Sequence, residues 1–268
     1  MRAFAREAPP PGYERLLVDG VDAVGLAELA DPLAEALRAG SFYEYAAHHP
    51  DARILSGRGV AYAVPLPDPA VRVVVRRSRH GGFLAPITGE RFLGRTRAPR
   101  ELRTAIRLAQ LGVATPKLIA YATYPDIAGT RRADVVTSEV PGARDLAAEI
   151  MAAEGKGLDD ELVMAVARLI ASLTIAGARH PDLNIKNILV ARDGSVAPEA
   201  FVIDVDRVWF DQPGARVVTQ RNVRRLVRSA LKWRRLHGLQ IDDFDIQSIA
   251  DTVDAILQDG AEPAGGHA

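Results

Sequence analysis

Strand-like stretches rich in β-branched residues run from 54 to 77 and from 114 to 140 around one helix-like stretch, and helical spacing prevails from residue 159 onward. That order builds a strand-rich lobe first and a mainly helical lobe second. The first half opens with "ILSGRGVAYAVPL", turns at "PDPA" and continues as "VRVVVRR", whose β-branched residues suit strands. A helix fits 99–111: Pro99 suits its first turn, Gly112 its C-terminal cap, and Leu102, Ala105, Ile106 and Ala109 form an apolar stripe. "ATPKLIAYATY" and "RADVVTSEV" predict two more strands. In the second half, Leu162, Val163, Val166, Leu169, Ile170 and Leu173 mark a helix over 159–176 that Gly177 ends. Short strands "NILVA" and "AFVIDV" flank a "RDGS" turn, and helices follow at about 220–237 and 243–258.

Four regions follow from this pattern. Residues 1–50 form a mostly helical N-terminal extension, with a breaker at "APPPG" and two apolar-periodic pieces split near Pro32. Residues 51–140 form an antiparallel-sheet lobe with one helix, and 141–258 a mainly helical lobe, with a hinge near 139–142. Residues 259–268 form a disordered tail. The expected class is α+β.

The chain contains no cysteine, which excludes thiol catalysis, disulfides and Cys-ligated metals. Its start has no apolar core of signal-peptide length and nothing downstream approaches a membrane span, so a cytoplasmic protein is expected. Formal net charge is zero, but arginines crowd 72–107 and a second basic group runs from Arg221 to Arg235. Such clusters are solvated faces or contacts to phosphates and anionic surfaces. Nothing points to nucleic acid.

Chemistry concentrates in "HPDLNIKNILV", which spaces a His, an Asp and an Asn as H-x-D-x-x-x-x-N ahead of an apolar strand. Asp182 in such a loop can accept a hydrogen bond from an acceptor hydroxyl, and Asn187 can offer its amide oxygen to a hard cation such as Mg²⁺. "FVIDVDRVWF" supplies further carboxylates, Asp204 and Asp206, one strand, turn and strand later. Alternation would put both on one face, where clustered carboxylates call for a cation. The first lobe adds "SGRG", whose Gly57 and Gly59 allow backbone N–H groups close to phosphates. In "VRVVVRR", Val74 and Arg76 share a face, suited to roofing adenine and reaching phosphates. Glu101, in the first turn of the 99–111 helix, is placed to pair with Arg76.

The order of these elements resembles a two-lobed protein-kinase-like fold, and the detailed motifs resemble the bacterial lipopolysaccharide-core kinases that phosphorylate 3-deoxy-D-manno-octulosonic acid (Kdo) on lipid A. The matching stretches include "GRGVAY", "VVVRRSRHGG", "HPDLNIKNIL", "VIDVDR" and "NVRRLVRSALKW", within roughly residues 54–235. The resemblance implies an ATP-dependent kinase. Asp182 would be its catalytic base, Asn187 and Asp204 its Mg²⁺ ligands and Asp206 a helper. Arg76 would take the place of the phosphate-holding lysine, with Glu101 its partner. Gly57 and Gly59 would form the phosphate-covering turn, and backbone groups of Glu139 and Val140 would hold adenine.

Two features depart from protein kinases: arginine at 76, and "DVD" with no glycine after Asp204. The short interval after Asp206 leaves little peptide platform, which favours a small or lipid-linked acceptor such as Kdo-lipid A. Lys186, in the loop, would attract that acceptor's carboxylate or phosphate. The helix at 221–237 carries Val223, Leu226, Val227, Ala230 and Leu231 as its packed stripe. Its basic face suits peripheral contact with the inner membrane. An aminoglycoside-kinase-like enzyme and a non-catalytic pseudokinase stay open as alternatives.

Overall fold

A computed structural model of the chain describes residues 8–56, 59–68, 71–78, 91–94, 96–153, 158–192 and 197–259. Its contacts divide the chain into two units, Met1–Arg103 with Lys117–Glu139, and Thr104–Pro116 with Val140–Ala268.

The first unit is built on an antiparallel sheet of β1 (Tyr13–Leu16), β2 (Asp22–Leu26), β3 (Arg53–Ser56), β4 (Val60–Pro65), β5 (Arg72–Arg77), β6 (Phe92–Leu93), β7 (Leu118–Pro125) and β8 (Thr130–Ser138). The strand order is β1-β2-β7-β8-β5-β4-β3, with β6 beside β8. Helices α1 (Ala30–Arg38) and α2 (Phe42–His48) contribute Leu33, Leu37 and Phe42 to a core with Val73, Val75, Ile119 and Val136. Burying a side chain such as Phe42 is worth about 1.5–3 kcal/mol. Because Val73 and Val75 face this core, Val74 and Arg76 lie on the opposite face of β5.

This arrangement corrects the expectation of a mostly helical extension over 1–50. Residues 13–26 form a hairpin whose second strand pairs with β7, Ala23 opposite Ala122, so the segment completes the sheet. Its strands are only four and five residues long, too short for alternation to stand out. Pro32 does not split two helices. It sits in the first turn of α1, where a missing N–H costs nothing. The start of α2 is a capping box: Ser41 Oγ accepts from Glu44 N–H, and the Glu44 carboxylate accepts from Ser41 N–H.

Beneath α2 lies a buried carboxylate, Asp134, which accepts from the Tyr43 N–H at 3.0 Å. Burial pushes its pKa up to about 6, against the pull of that N–H and of Arg77. Helix α3 (Ala98–Gln110) ends at Gly112, in the left-handed region at φ 74°, one residue from the expected bounds.

The second unit contains α4 (Leu146–Ala152), α5 (Asp160–Ile175), α6 (Arg216–His237) and α7 (Asp243–Asp259). A small sheet orders β12 (Glu199–Val202), β11 (Ile188–Ala191) and β9 (Arg144–Asp145), and β10 (Ala178–Arg179) pairs with β13 (Trp209–Phe210). Asp159 caps α5 by accepting from the Leu162 N–H at 2.7 Å, and α5 is buried along most of its length against α7, α6 and β12. Gly177 ends α5 at φ 66°, and an added Cβ would lie 2.4 Å from the Asp211 carbonyl oxygen. No other residue type fits there.

The packed face of α6 also differs from the expected stripe. Val218, Thr219, Asn222, Leu226 and Ala230 are buried, whereas Leu231 is 38% exposed. Two polar residues hold inner positions because each has a partner: Thr219 Oγ1 lies 3.1 Å from Thr174 Oγ1, and Asn222 bonds backbone groups. Of the expected tail, residues 260–268 lie outside the described residues.

Candidate active site

The loop from His180 to Asn187 connects β10 to β11, and its side chains fold back on its own backbone. His180 is buried. Its Nδ1 accepts the Asp182 N–H at 3.2 Å, which leaves Nε2–H to donate to the Ile203 carbonyl at 3.1 Å. Burial pushes the imidazole pKa below its ordinary value, although Asp204, Asp182 and Asp206 pull the other way. A neutral ring is what both hydrogen bonds require.

The Asp182 carbonyl accepts from Asn184 Nδ2 and Asn187 Nδ2, each at 2.9 Å. With Nδ2 so engaged, the planar amide turns Asn187 Oδ1 the other way. The Asn187 carbonyl accepts from the Ile203 N–H at 3.0 Å, which brings the start of "DVD" beside the loop.

Asp204 is held at φ 62°, ψ 45°, in the left-handed region that few non-glycine residues adopt. Strand β12 has already ended at Val202, and Asp206 lies in the 3₁₀ turn Val205–Arg207. Asp204 is exposed and Asp206 is buried. The expectation that the two share a strand face is therefore wrong: alternation fails where the strand stops and the backbone reverses its φ. Among the described residues no three acidic or histidine side chains gather closely enough to hold a metal by themselves. Asn187 Oδ1 and the Asp204 carboxylate are hard oxygen donors of the kind Mg²⁺ takes when phosphates and water complete its shell.

Helix α6 clamps the loop from outside, through residues of the "NVRRLVRSALKW" stretch whose role the motif itself does not state. Asn222, fully buried, accepts the His180 N–H at 3.1 Å and donates to the Ala178 carbonyl at 3.0 Å. Arg225 Nη2 donates to Asp182 Oδ1 at 2.6 Å, and Ser229 Oγ accepts the Ile185 N–H at 3.3 Å. Positions 222, 225 and 229 lie on one face of a helix. Their spacing was the available signal, but all three are polar, so an apolar template passes over them.

Lys186, expected to attract an acidic acceptor, has its Nζ 2.5 Å from Asp145 Oδ2 and 5.7 Å from the Trp233 ring centre. Asp145 in turn caps α4 through the Ala148 N–H. The lysine's charge is thus neutralised within its own unit.

In the first unit, Arg76 on β5 pairs with Glu101 in the first turn of α3, and Glu101 is 3% exposed. Glu139 receives Arg53 and Arg72 on its carboxylate, and its N–H donates to the Arg72 carbonyl at 3.1 Å. That bond leaves the Glu139 carbonyl, rather than its N–H, as the group to offer a ligand. The Val140 carbonyl accepts from the Ala143 N–H at 3.2 Å. Gly59 immediately precedes β4, while Gly57 and the "RHGG" turn lie outside the described residues.

Residues 55–251 match the model of the lipopolysaccharide kinase (Kdo/WaaP) family. The chain is 30% identical over 194 residues to the 3-deoxy-D-manno-octulosonic acid kinase of Vibrio parahaemolyticus, covering 70% of this chain and 76% of that one. It is 35% identical over 182 residues to that of Xanthomonas oryzae pv. oryzae, covering 66% and 68%. Among solved structures, WaaP in complex with acyl carrier protein superposes with a TM-score of 0.53 at 19% identity, over 86% of this chain and 91% of that one, a likeness of fold. The motifs, the fold and these relatives agree: the chain belongs to the lipopolysaccharide kinase (Kdo/WaaP) family, phosphotransferases that act on sugar hydroxyls.

Proposed function

We propose that the protein transfers the γ-phosphate of ATP to a hydroxyl of Kdo in the lipopolysaccharide inner core, with Kdo-lipid A as acceptor. The observation that carries this reading is the loop geometry: Asn187 Nδ2 on the Asp182 carbonyl and Ile203 N–H on the Asn187 carbonyl, which tie Asp182, Asn187 and Asp204 to one short stretch of backbone. In it, Asp182 orients the acceptor hydroxyl and takes its proton as the new P–O bond forms and the bond to ADP breaks. Asn187 and Asp204 hold Mg²⁺, whose charge offsets that of the phosphates, and Asp206 supports the turn that presents Asp204. Arg76, oriented by Glu101, holds the nucleotide phosphates, Gly57 and Gly59 cover them, and the Glu139 carbonyl and Val140 N–H meet adenine. The names of the relatives support Kdo as the sugar.

No helix among the described residues is long and apolar enough to cross a membrane. The basic residues in the second half of α6, Lys232 and Arg235, support a peripheral contact with the inner membrane, where a lipid-linked acceptor would be met. Labelled ATP with Mg²⁺ and Kdo-lipid A tests the whole reading, with Asp182→Ala and an aminoglycoside panel alongside. Label on Kdo-lipid A that disappears in the variant is expected; label on an aminoglycoside instead would overturn it.

A further inference from the structure

The family's activity leaves unexplained why α6, whose packed face holds Val218, Leu226 and Ala230, carries four arginines along a second face. Arg221, Arg224, Arg225 and Arg228 stand at i, i+3, i+4 and i+7, one face of the helix. That face, with Arg179, His180 and Pro181, lines a cavity of about 300 Å³ in the second unit. Like charges at this spacing repel one another and destabilise the helix, so the arrangement has to be offset elsewhere. Only two of the five arginines have carboxylate partners among the described residues: Arg225 with Asp182 at 2.6 Å, and Arg179 with Asp211 at 3.5 Å. Arg179 also lies over the Trp209 ring, 4.7 Å from its centre, a cation–π contact. Arg225 Nε is buried without a hydrogen-bond partner among the described residues, so it is the guanidinium's outer nitrogens that face the cavity.

We infer that this cavity is an anion subsite for the acceptor, taking a phosphate or carboxylate group of the sugar being phosphorylated. Guanidinium forks match both groups bidentately. Arg225 joins the subsite to Asp182, so the bound anion sits one side chain from the carboxylate that orients the hydroxyl. Through this subsite the acceptor would be held by its charge beside the reacting hydroxyl. The identity of the acceptor rests on the function proposed above; the subsite does not.

The test uses the full chain and the double variant Arg224→Gln/Arg228→Gln, with Arg224→Lys/Arg228→Lys as the charge-retaining control. Isothermal titration with inorganic pyrophosphate, without nucleotide or metal, reads the subsite directly. Kinetics with Kdo-lipid A, intact or stripped of its lipid A phosphates, reads its use. The glutamine variant should bind pyrophosphate about tenfold more weakly and raise the acceptor KM about tenfold or more, while the lysine variant recovers most of both. A KM penalty lost on the stripped acceptor identifies a lipid A phosphate as the ligand. A penalty that persists identifies the Kdo carboxylate, and either supports the subsite. Unchanged pyrophosphate binding overturns it, as does a rise in ATP KM in place of acceptor KM. Lost sedimentation with phosphatidylglycerol vesicles at unchanged acceptor KM also overturns it, assigning the arginines to the membrane. If the wild type transfers nothing to Kdo-lipid A, the proposed function fails, and the titration still decides the subsite.

Discussion

The two units hold their key side chains in opposite ways. In the first, one nearly buried carboxylate, Glu101, orients one cation, Arg76, and both sit on elements whose period is plain in the sequence. In the second, the loop carrying Asp182 and Asn187 has no regular structure of its own. It is shaped by side chains bonding its backbone from within, and by Asn222, Arg225 and Ser229 of α6 from outside. An ion pair needs two residues and tolerates modest rearrangement. A loop in which most amides, those of His180, Asp182, Leu183, Ile185, Lys186 and Asn187, have a partner has discrete geometry, and a lost bond leaves a polar group unpaired. In the proposed function the first arrangement would hold a flexible phosphate chain, and the second would place one carboxylate and one amide oxygen.

The sharpest way to separate the two is to remove the acting group from each. Asp182→Ala should lower the transfer rate by about 10²- to 10⁴-fold with nucleotide affinity retained. Arg76→Met should instead act mainly on ATP affinity, as single-turnover kinetics and nucleotide titration would reveal. Gly177→Ala attacks the seat of the loop. The left-handed backbone and the 2.4 Å approach to the Asp211 carbonyl predict a loss of roughly 3–5 kcal/mol in denaturant unfolding.

Asn222→Ala should cost about 1–3 kcal/mol for each backbone group it leaves unpaired, and should lower kcat more than it raises ATP KM. An ATP KM effect larger than the kcat effect would break the division of labour drawn here. Glu101→Gln, by contrast, should raise ATP KM by about tenfold while leaving kcat within severalfold, since the Arg76 charge persists without its orienting partner.

The smallest effect is on pH dependence, and it runs in opposite directions in the two units. His180 is held neutral, with its pKa lowered by burial. The unfolded chain therefore binds more protons, and the second unit's stability should decline as pH falls below about 6.5, the ordinary histidine value. Asp134 in the first unit has its pKa raised to about 6 from 3.8. Here the folded chain binds more protons, so that contribution is complete below 3.8 and is lost as pH rises through about 6. Asp134→Asn should flatten the first unit's slope between those values and leave the second unit's unchanged, measured by unfolding between pH 4 and 7.5.

Much of this was legible beforehand because it is local. The strands from β3 to β8 other than β6, the helices α3 and α5 to α7, and the pairing of Arg76 with Glu101 follow from period, caps and spacing. The β1–β2 hairpin was not, because four- and five-residue strands carry too little alternation to outweigh the helix-like stretch after them. The bond from Glu44 to Ser41 was there to be found as S-x-x-E before α2. The supposed shared face of Asp204 and Asp206 failed for a different reason: extrapolating a strand assumes that the strand continues.

What the sequence by itself determined is the order of elements, the residue types a phosphotransferase needs, and their distribution between two lobes. Each of these depends on neighbours within a few positions. Tertiary structure alone decided how the loop from His180 to Asn187 is held. The bond from His180 N–H to Asn222 joins residues separated by 42 positions, and that from Arg225 to Asp182 joins residues separated by 43. Chain entropy makes such pairings invisible to any local pattern. They form because Leu226 and Ala230 pack α6 into the second unit's core and so turn the remaining polar face onto the loop.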